Sequence, residues 1–424
     1  MRFLQRFFPL SKERKYLLCL LLCLLLPVIS LAGFNWLMDP HRFFNSPNIP
    51  GVNVYKTFTS HMRIRKPIHI YQRAPSTLIM GSSRAGEGLH CEYLPGPFEE
   101  CYNAAIRGIT PYEQWRILEH AVVSAREADK KIERVILNLG FATFTETSLS
   151  NEGFEEALFA RLPEGFTFAL HKAVLDKLLY ALFSREAFSA SRNTLHFQDR
   201  VQGWFSIGIL SLEPDGSWRT HPLPRASTDA EWVHKKNLNM WGSAANAIES
   251  GYRKLKREVE RPGRFEQNYD YFERLMTVAY QEKIPLDILL SPAHVEYMRT
   301  LDRHGLWPHE EQWKRRVIEI NERLAAQYQV PAYRVWDFEA FNDYAKEPVW
   351  DDLPIGKTMR WYKDVVHFSE ELGTKMLEVI IQQQTEGGWY RVIDSNNLEN
   401  HLQNLRAEKE AYFLAHPAPQ AEEL

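Results

Sequence analysis

From Tyr16 to Met38 the chain runs without a single charged residue, and nine of the seventeen residues from Tyr16 to Ala32 are leucine. Roughly 20 apolar residues in a helix cross a bilayer. The preceding stretch sets Arg2, Arg6, Lys12, Arg14 and Lys15 against Glu13, and a basic flank of this kind stays on the cytoplasmic side. The pattern therefore predicts a basic cytoplasmic segment over 1–15, a transmembrane helix or signal anchor over 16–38, and export of everything after it. Ser30-Leu31-Ala32 also reads as a small-x-small signal-peptide cleavage site. The apolar run continues through Phe34, Trp36, Leu37 and Met38, which favours an uncleaved anchor; either reading exports the domain. No cysteine follows a small residue at the end of the run, which argues against a lipoprotein.

After a polar and aromatic lead-in over 39–75 the pattern becomes regular. Ser76-Thr77-Leu78-Ile79-Met80 is a short, mostly apolar run stopped by Gly81, which reads as a buried strand ending in a turn. Cys101 to Ile106 is a second strand candidate, stopped at Gly108. Thr110-Pro111-Tyr112-Glu113 supplies an N-cap threonine, a proline at the first helical position and a glutamate three after the cap, which together start a helix. Trp115, Leu118, Val122 and Ala125 follow at helical spacing, and Val135 to Leu139 is a third strand candidate. Strands separated by helices in this order predict a parallel sheet with crossover connections.

The alternation returns late in the chain. Phe265, Tyr269, Phe272, Met276 and Ala279 mark a helical face, and Leu286 to Leu290, broken only by Asp287, forms an apolar run. Trp313, Val317, Ile320 and Leu324 mark another helix before the strand candidate Tyr333 to Phe338. A further helix starts at Ser369, with Leu372, Met376, Leu377 and Ile380 on its apolar side. Residues 145–260 break this rhythm with helical pieces such as Phe168 to Phe183, a Pro-Asp-Gly turn at 214–216 and a Pro-rich piece at 222–224. The expectation is one α/β unit over 76–385 that contains a mainly helical insertion over 145–260, roofing a cleft. Residues 386–424 read as a helical, charged tail whose order fades around His416-Pro417-Ala418-Pro419.

Composition narrows this picture. At 424 residues and 45% hydrophobic content the chain is no disordered polypeptide. With 51 basic and 54 acidic side chains the net charge is -3, which leaves no global electrostatic footprint for nucleic acid. The mean hydropathy of -0.39 excludes a multi-span membrane protein, although it averages over the leucine-rich segment. Cys19 and Cys23 lie in that segment, while Cys91 and Cys101 are the only two beyond it. An oxidising compartment lets the latter pair; a disulfide and two buried thiols both fit, and geometry decides.

Two stretches carry candidate chemistry. Met80-Gly81-Ser82-Ser83-Arg84 sits at the carboxyl end of the first strand, the edge where open α/β sheets bind ligands. A serine there presents its hydroxyl beside the amides of an opening helix, which can stabilise an oxyanion, although Gly-Ser-Ser is also ordinary turn chemistry. Asp364-Val365-Val366-His367 lies just before the helix that starts at Ser369. A nucleophilic serine needs a base, and the base needs a carboxylate to fix its tautomer. Arg84 is placed either to hold an anionic group or to form an ordinary ion pair. His294, after the strand ending at Leu290, reads as a substrate contact or as a hydrogen-bonded loop histidine. Trp361-Tyr362 is the aromatic pair adjoining the Asp-x-x-His loop. Asp351-Asp352 reads as a solvated turn. No cluster has zinc spacing and no Walker or dinucleotide glycine pattern occurs, so neither metal nor cofactor is expected.

Gly81-Ser82-Ser83 after the first strand, Asn103-Ala104-Ala105-Ile106-Arg107-Gly108 after the second, and Asp364-x-x-His367 before the last helix of the unit resemble the first, second and last blocks of the SGNH, or GDSL-like, hydrolase superfamily. The resemblance covers residues 76–385 apart from the insertion. It implies a flavodoxin-like three-layer sandwich with a central parallel sheet. It implies Ser83 as nucleophile, His367 as general base, Asp364 as orienting carboxylate, and the Gly108 and Ser83 amides as oxyanion donors. The chain is most similar to the membrane-anchored branch associated with bacterial envelope and exopolysaccharide acylation. That likeness implies an esterase or O-acetyltransferase acting on an envelope or exported polysaccharide. It further implies an inner-membrane anchor with a periplasmic domain, and a membrane-bound acyltransferase as a partner.

Two departures stand out. Ser82 replaces a residue that is often Asp in the family, and the third block, usually Gly-x-Asn, reads Gly140-Phe141-Ala142. Losing one oxyanion donor typically costs on the order of 100-fold in rate. Asn138 and Arg84 are the candidate substitutes. Without a substitute, the fold would serve as a non-catalytic binding or scaffold subunit of an envelope polysaccharide assembly complex.

Overall fold

The computed structural model describes residues 11–56, 61–196, 198, 208–222, 230–261, 263 and 265–417. Arg2 and Arg6 of the basic flank, residues 223–224 of the Pro-rich piece and Ala418-Pro419 lie outside the described residues. The chain opens with α1 (Lys12–Met38) and α2 (Met62–Arg73). An alternating run follows: β1 (Thr77–Met80), α3 (Ser83–Gly88), β2 (Cys101–Asn103), α4 (Pro111–Glu127), β3 (Arg134–Leu139) and α5 (Phe141–Phe144). The inserted region holds α6 (Phe168–Phe183), α7 (Arg185–His196), the strands β4 (Gly208–Leu212) and β5 (Trp218–Pro222), and the long α8 (Ala230–Val259). Alternation resumes with α9 (Glu266–Gln281), β6 (Leu286–Leu290), α10 (Val295–Arg303), α11 (Trp307–Tyr328), β7 (Arg334–Asp337) and α12 (Glu370–Ile381). The described chain closes with β8 (Glu386–Gly387), β9 (Tyr390–Ile393) and α13 (Leu398–Ala415).

The apolar runs become a mostly parallel central sheet in the order β2-β1-β3-β6-β7-β9-β8. The pairings from β2 through β7 are parallel, with Leu78 opposite Tyr102 on one side and Val135 on the other. Strands buried on both faces need near-continuous apolar sequence, which explains why Leu78, Ile79, Val135, Ile136 and Leu137 have no solvent-accessible surface. Helix α4 packs on α2 and α9, and α9 on α11, while α12 packs on α3. The start of α4 is set locally: the Glu113 amide donates to Thr110 Oγ1 at 3.2 Å and the Thr110 amide to Glu113 Oε2 at 3.1 Å, closing a capping box.

The structure refines the sequence expectations in four places. Strand β2 ends at Asn103 rather than Ile106; the chain leaves the ladder but stays beside β1, the Ala104 amide donating to Ile79 O and the Ile106 amide to Gly81 O. The lead-in is not featureless, because α2 buries Ile68 and Ile70 against the domain. The segment over 386–424 is more than a tail: β9 pairs antiparallel with β7, and β8 folds back on β9 across a two-residue turn at Gly388-Trp389. Tyr390 and Ile393 are buried there, so four residues join the core too briefly to leave a periodic signal. The insertion divides into separate parts. Helices α6 and α7 pack on α1, β5 packs on α3, and α8 packs on α10.

Candidate active site

Strand β1 delivers the chain to Gly81, where a Cβ would lie 2.8 Å from both Ala85 Cβ and the Asn138 carbonyl oxygen. Only glycine fits a turn this close to β3. Ser82 then takes the N-cap position of α3 and Ser83 is its first residue. The second block fixes that short helix from below: Asn103 Nδ2 donates to Ala85 O at 3.0 Å and Leu89 O at 2.8 Å, while its Oδ1 accepts from the Ala105 amide at 3.0 Å. From the side, Gly86 sits under Trp218 of β5, and a Cβ on Gly373 of α12 would lie 1.8 Å from Gly88 O. A disulfide between Cys91 and Cys101, with Cα atoms 5.7 Å apart, ties the segment after α3 to β2.

Against this serine stands the loop before α12. Ser83 Oγ lies 2.8 Å from His367 Nε2, and His367 Nδ1 lies 2.7 Å from Asp364 Oδ2. The second carboxylate oxygen, Oδ1, accepts the Val366 and His367 amides, each at 2.7 Å. Burial pushes the Asp364 carboxyl up, but the facing His367 and these donors outweigh it and hold it down at about 2. An ionised Asp364 keeps the proton on Nδ1, leaving the Nε2 lone pair to accept the Ser83 hydroxyl. Burial acts to lower the His367 value; Asp364 and then Glu87 overcome it, so the imidazole pKa is raised above its usual 6.5. Glu87 Oε1 is 3.9 Å from His367 Nε2, and its other oxygen pairs with Lys363 at 3.2 Å.

The loop itself hangs on one carboxylate. Glu347 accepts the Arg360 amide at 2.8 Å, the Trp361 amide at 2.9 Å and the Tyr362 amide at 2.6 Å. Backbone bonds of Lys363 to His367 O and of Ser369 to Trp361 O close the turn. Trp361 is partly exposed with Arg360 over its ring, while Tyr362 is 2% exposed and faces the protein interior.

The remaining candidates separate. Arg84 is buried, its guanidinium 4.9 Å from the centroid of the Tyr297 ring, and a Cβ on Gly140 would lie 3.5 Å from its Nη1. It therefore sits against the third block. Asn138 is sealed into the sheet, its Oδ1 accepting from Ser291 Oγ at 2.9 Å. Gly108 has φ +58°, and its carbonyl accepts from Arg63 at 2.8 Å and Asn151 at 2.6 Å. His294 proves structural: buried at the N-cap of α10, it accepts the Glu296 amide at Nδ1 and donates from Nε2 to Glu347 O at 2.9 Å. With both ring nitrogens bonded inside the protein, it has none to offer a substrate. Asp351 and Asp352 are exposed in a single helical turn.

A cavity of about 320 Å³ opens beside the catalytic candidates, lined by Arg84 and Val366, by Ala142 and Thr145 near the third block, and by Tyr252 and Lys254 of α8. The insertion thus supplies one wall, through α8. Sequence reasoning passed over three supporting residues. Asn103 was visible as part of a motif, though without a role. Glu87 is one helical turn from Ser83 and so shares its face, whereas Glu347 left no local signal. No protein-family model matches the chain, and neither does any curated protein.

Proposed function

We propose that this chain is a membrane-anchored serine acyl-transfer enzyme of the SGNH type, acting on ester groups of an envelope or exported polysaccharide. The observation that carries the reading is the continuous Ser83–His367–Asp364 hydrogen-bonded relay at the carboxyl edge of β1. The strand order supports it as well, since the five parallel strands run 2-1-3-4-5 in chain order, the flavodoxin-like arrangement, with Ser83 beside the switch point between β1 and β3. The relay also speaks for catalysis over the scaffold reading, which rested on the missing third-block asparagine.

In the proposed cycle His367 Nε2 takes the Ser83 proton as Oγ attacks the ester carbonyl. The carbonyl π electrons move onto oxygen, and the Ser83 and Gly108 amides stabilise that oxyanion. Collapse expels the alcohol, which receives the proton from His367, and leaves an acyl-serine. A sugar hydroxyl or water then repeats the sequence in reverse. Arg84, against Gly140 and on the cavity wall, supplies positive charge where the third block has no side-chain donor. The cavity matches the lower end of the 300–1,000 Å³ range of small-ligand sites, a size for an acetyl group and one sugar ring. Helix α1 is long and apolar enough to cross a membrane; we take it as the anchor, N-terminus inside, with the domain on the far side.

The test is fluorophosphonate labelling of the full chain, followed by hydrolysis of an acetyl ester. Labelling at Ser83 that disappears in Ser83→Ala supports the reading. A wild-type chain that neither labels nor turns over ester would replace it with the scaffold.

A further inference from the structure

Helix α6 is apolar on two opposite sides. Leu170, Val174 and Ala181 face the domain and are buried, whereas Phe168, Leu175, Leu179 and Phe183, spaced by seven, four and four residues, form an outward stripe. Phe168 is 83% exposed and Leu175 54% exposed. One ion pair, Lys172 to Asp176 at 2.6 Å, shares that outward side, and a contiguous exposed apolar patch rimmed by polar groups marks a protein or membrane interaction surface. Helix α7 continues the pattern, presenting Phe188 and Leu195 outward, each three residues after an exposed arginine, Arg185 and Arg192. Elsewhere among the described residues the large exposed apolar side chains outside α1, such as Val330, Ile355 and Leu414, are scattered singly in the sequence.

The position of this pair relative to α1 identifies what covers it. Asn35 Nδ2 donates to Leu182 O at 2.8 Å, and the Phe34 and Phe188 rings lie 5.7 Å apart. Both helices therefore flank the last two turns of α1. On α1 the charge-free residues left bare by the domain run from Tyr16 to Ser30, which at 1.5 Å per residue cover only about 22 Å. The hydrocarbon layer is about 30 Å thick. Counting roughly 20 residues from Tyr16 to satisfy it reaches Asn35, the residue bonded to α6. The missing depth lies where α6 and α7 surround α1.

The attachment is stiff rather than tethered. Asp39, which ends α1, accepts the Phe43 amide at 2.8 Å, and Lys56 Nζ donates to Met38 O at 2.6 Å. The domain must therefore follow the helix to the membrane surface. We infer that α6 and α7 are seated in the bilayer interface at the end of α1, their Phe and Leu stripe in the acyl region, Arg185 and Arg192 at the lipid phosphates, and the Lys172–Asp176 pair at headgroup level. Arginine and lysine reach headgroups in this way while their stems stay apolar. The inference rests on α1 being a membrane span.

Site-directed spin labelling tests it in the full chain, in vesicles of phosphatidylcholine and phosphatidylglycerol, with Cys19→Ala and Cys23→Ala removing the free thiols. Labels go on Leu175→Cys and Leu179→Cys, with Leu24→Cys on α1 and Leu414→Cys as references. Near-UV circular dichroism qualifies the fold of each, and Phe188→Cys and Leu195→Cys provide a second pair of sites. The expected result is oxygen collision as frequent as at Leu24 and collision with a water-soluble nickel chelate several-fold below that at Leu414. Nickel access equal to Leu414, or low access to both reagents as in a protein contact, would overturn the inference while leaving the span intact. Nickel access at Leu24 would instead overturn the span, and this inference with it.

Discussion

Ser83 Oγ and His367 Nε2 are 2.8 Å apart although 284 positions separate them in the chain. The contact is assembled from two loops at one sheet edge, and Asp364 completes it from within the histidine's own loop.

Removing the Asp364 carboxylate while keeping its shape tests the relay. In Asp364→Asn the side-chain amide can donate to Nδ1, which favours the wrong imidazole tautomer. The expected loss in kcat for acetyl ester hydrolysis is about 10⁴-fold. Retention of near wild-type kcat would mean that this aspartate does not orient the base.

The pH profile follows from the same charges. Only neutral His367 accepts the serine proton, and its pKa is raised above 6.5 by Asp364 and Glu87, so kcat/KM should rise through a pH above 6.5. Asp364, held at about 2, stays ionised throughout that window. Glu87→Gln removes one of the charges that raise His367, and the rising limb should move to lower pH. A limb that stays in place would assign the histidine shift to Asp364 alone.

Arg84 is expected to matter to the transition state. Arg84→Met should lower kcat by on the order of 100-fold, the usual loss for one oxyanion-stabilising group, with a smaller change in KM. An unchanged kcat would return Arg84 to a packing role against Tyr297.

Glu347 should act on structure first. In Glu347→Ala the amides of Arg360, Trp361 and Tyr362 lose their acceptor; water can replace it at the exposed Arg360 amide, whereas the part-buried Trp361 and Tyr362 amides, left unpaired, cost up to about 1–3 kcal/mol each. Denaturant unfolding should show that loss, together with weaker fluorophosphonate labelling as the His367 loop shifts. Glu347→Gln keeps an acceptor oxygen and should fall between.

Tight packing around α3 gives the last prediction. Gly373→Ala places a Cβ 1.8 Å from Gly88 O, a backbone contact that cannot be relieved by a rotamer. Overpacking of this kind costs about 3 kcal/mol, read as a lower thermal midpoint. An alanine tolerated without loss would show that α12 slides freely on α3.

Much of the fold was legible because its signals are local. The capping box of Thr110 and Glu113 needs four consecutive residues, and Leu286 to Leu290 forms the expected strand because a strand buried on both faces is near-continuously apolar, Asp287 being the one polar residue in it. Short or non-local features were not legible. β9 adds four residues to the sheet edge, and the Pro214-Asp215-Gly216 segment, which by sequence is a turn signal and no more, is docked on the second block with the Asp215 carbonyl accepting the Asn103 amide at 2.7 Å. His294, attractive on the ligand edge, was spent on capping α10, an outcome that depends on where Glu347 lies.

By itself the sequence determined an α/β chain behind an apolar N-terminal helix, because hydrophobic periodicity, caps and breakers act within a few residues of one another. It also named Ser83, Asp364 and His367 as residues of the right chemical types. Only the tertiary structure decided that these three meet, that Arg84 lies against Gly140 while Asn138 is sealed in the sheet, and that Glu347 suspends the histidine loop. Hydrogen bonds across hundreds of residues depend on strand order and helix packing, and neither is written in any local stretch of the chain.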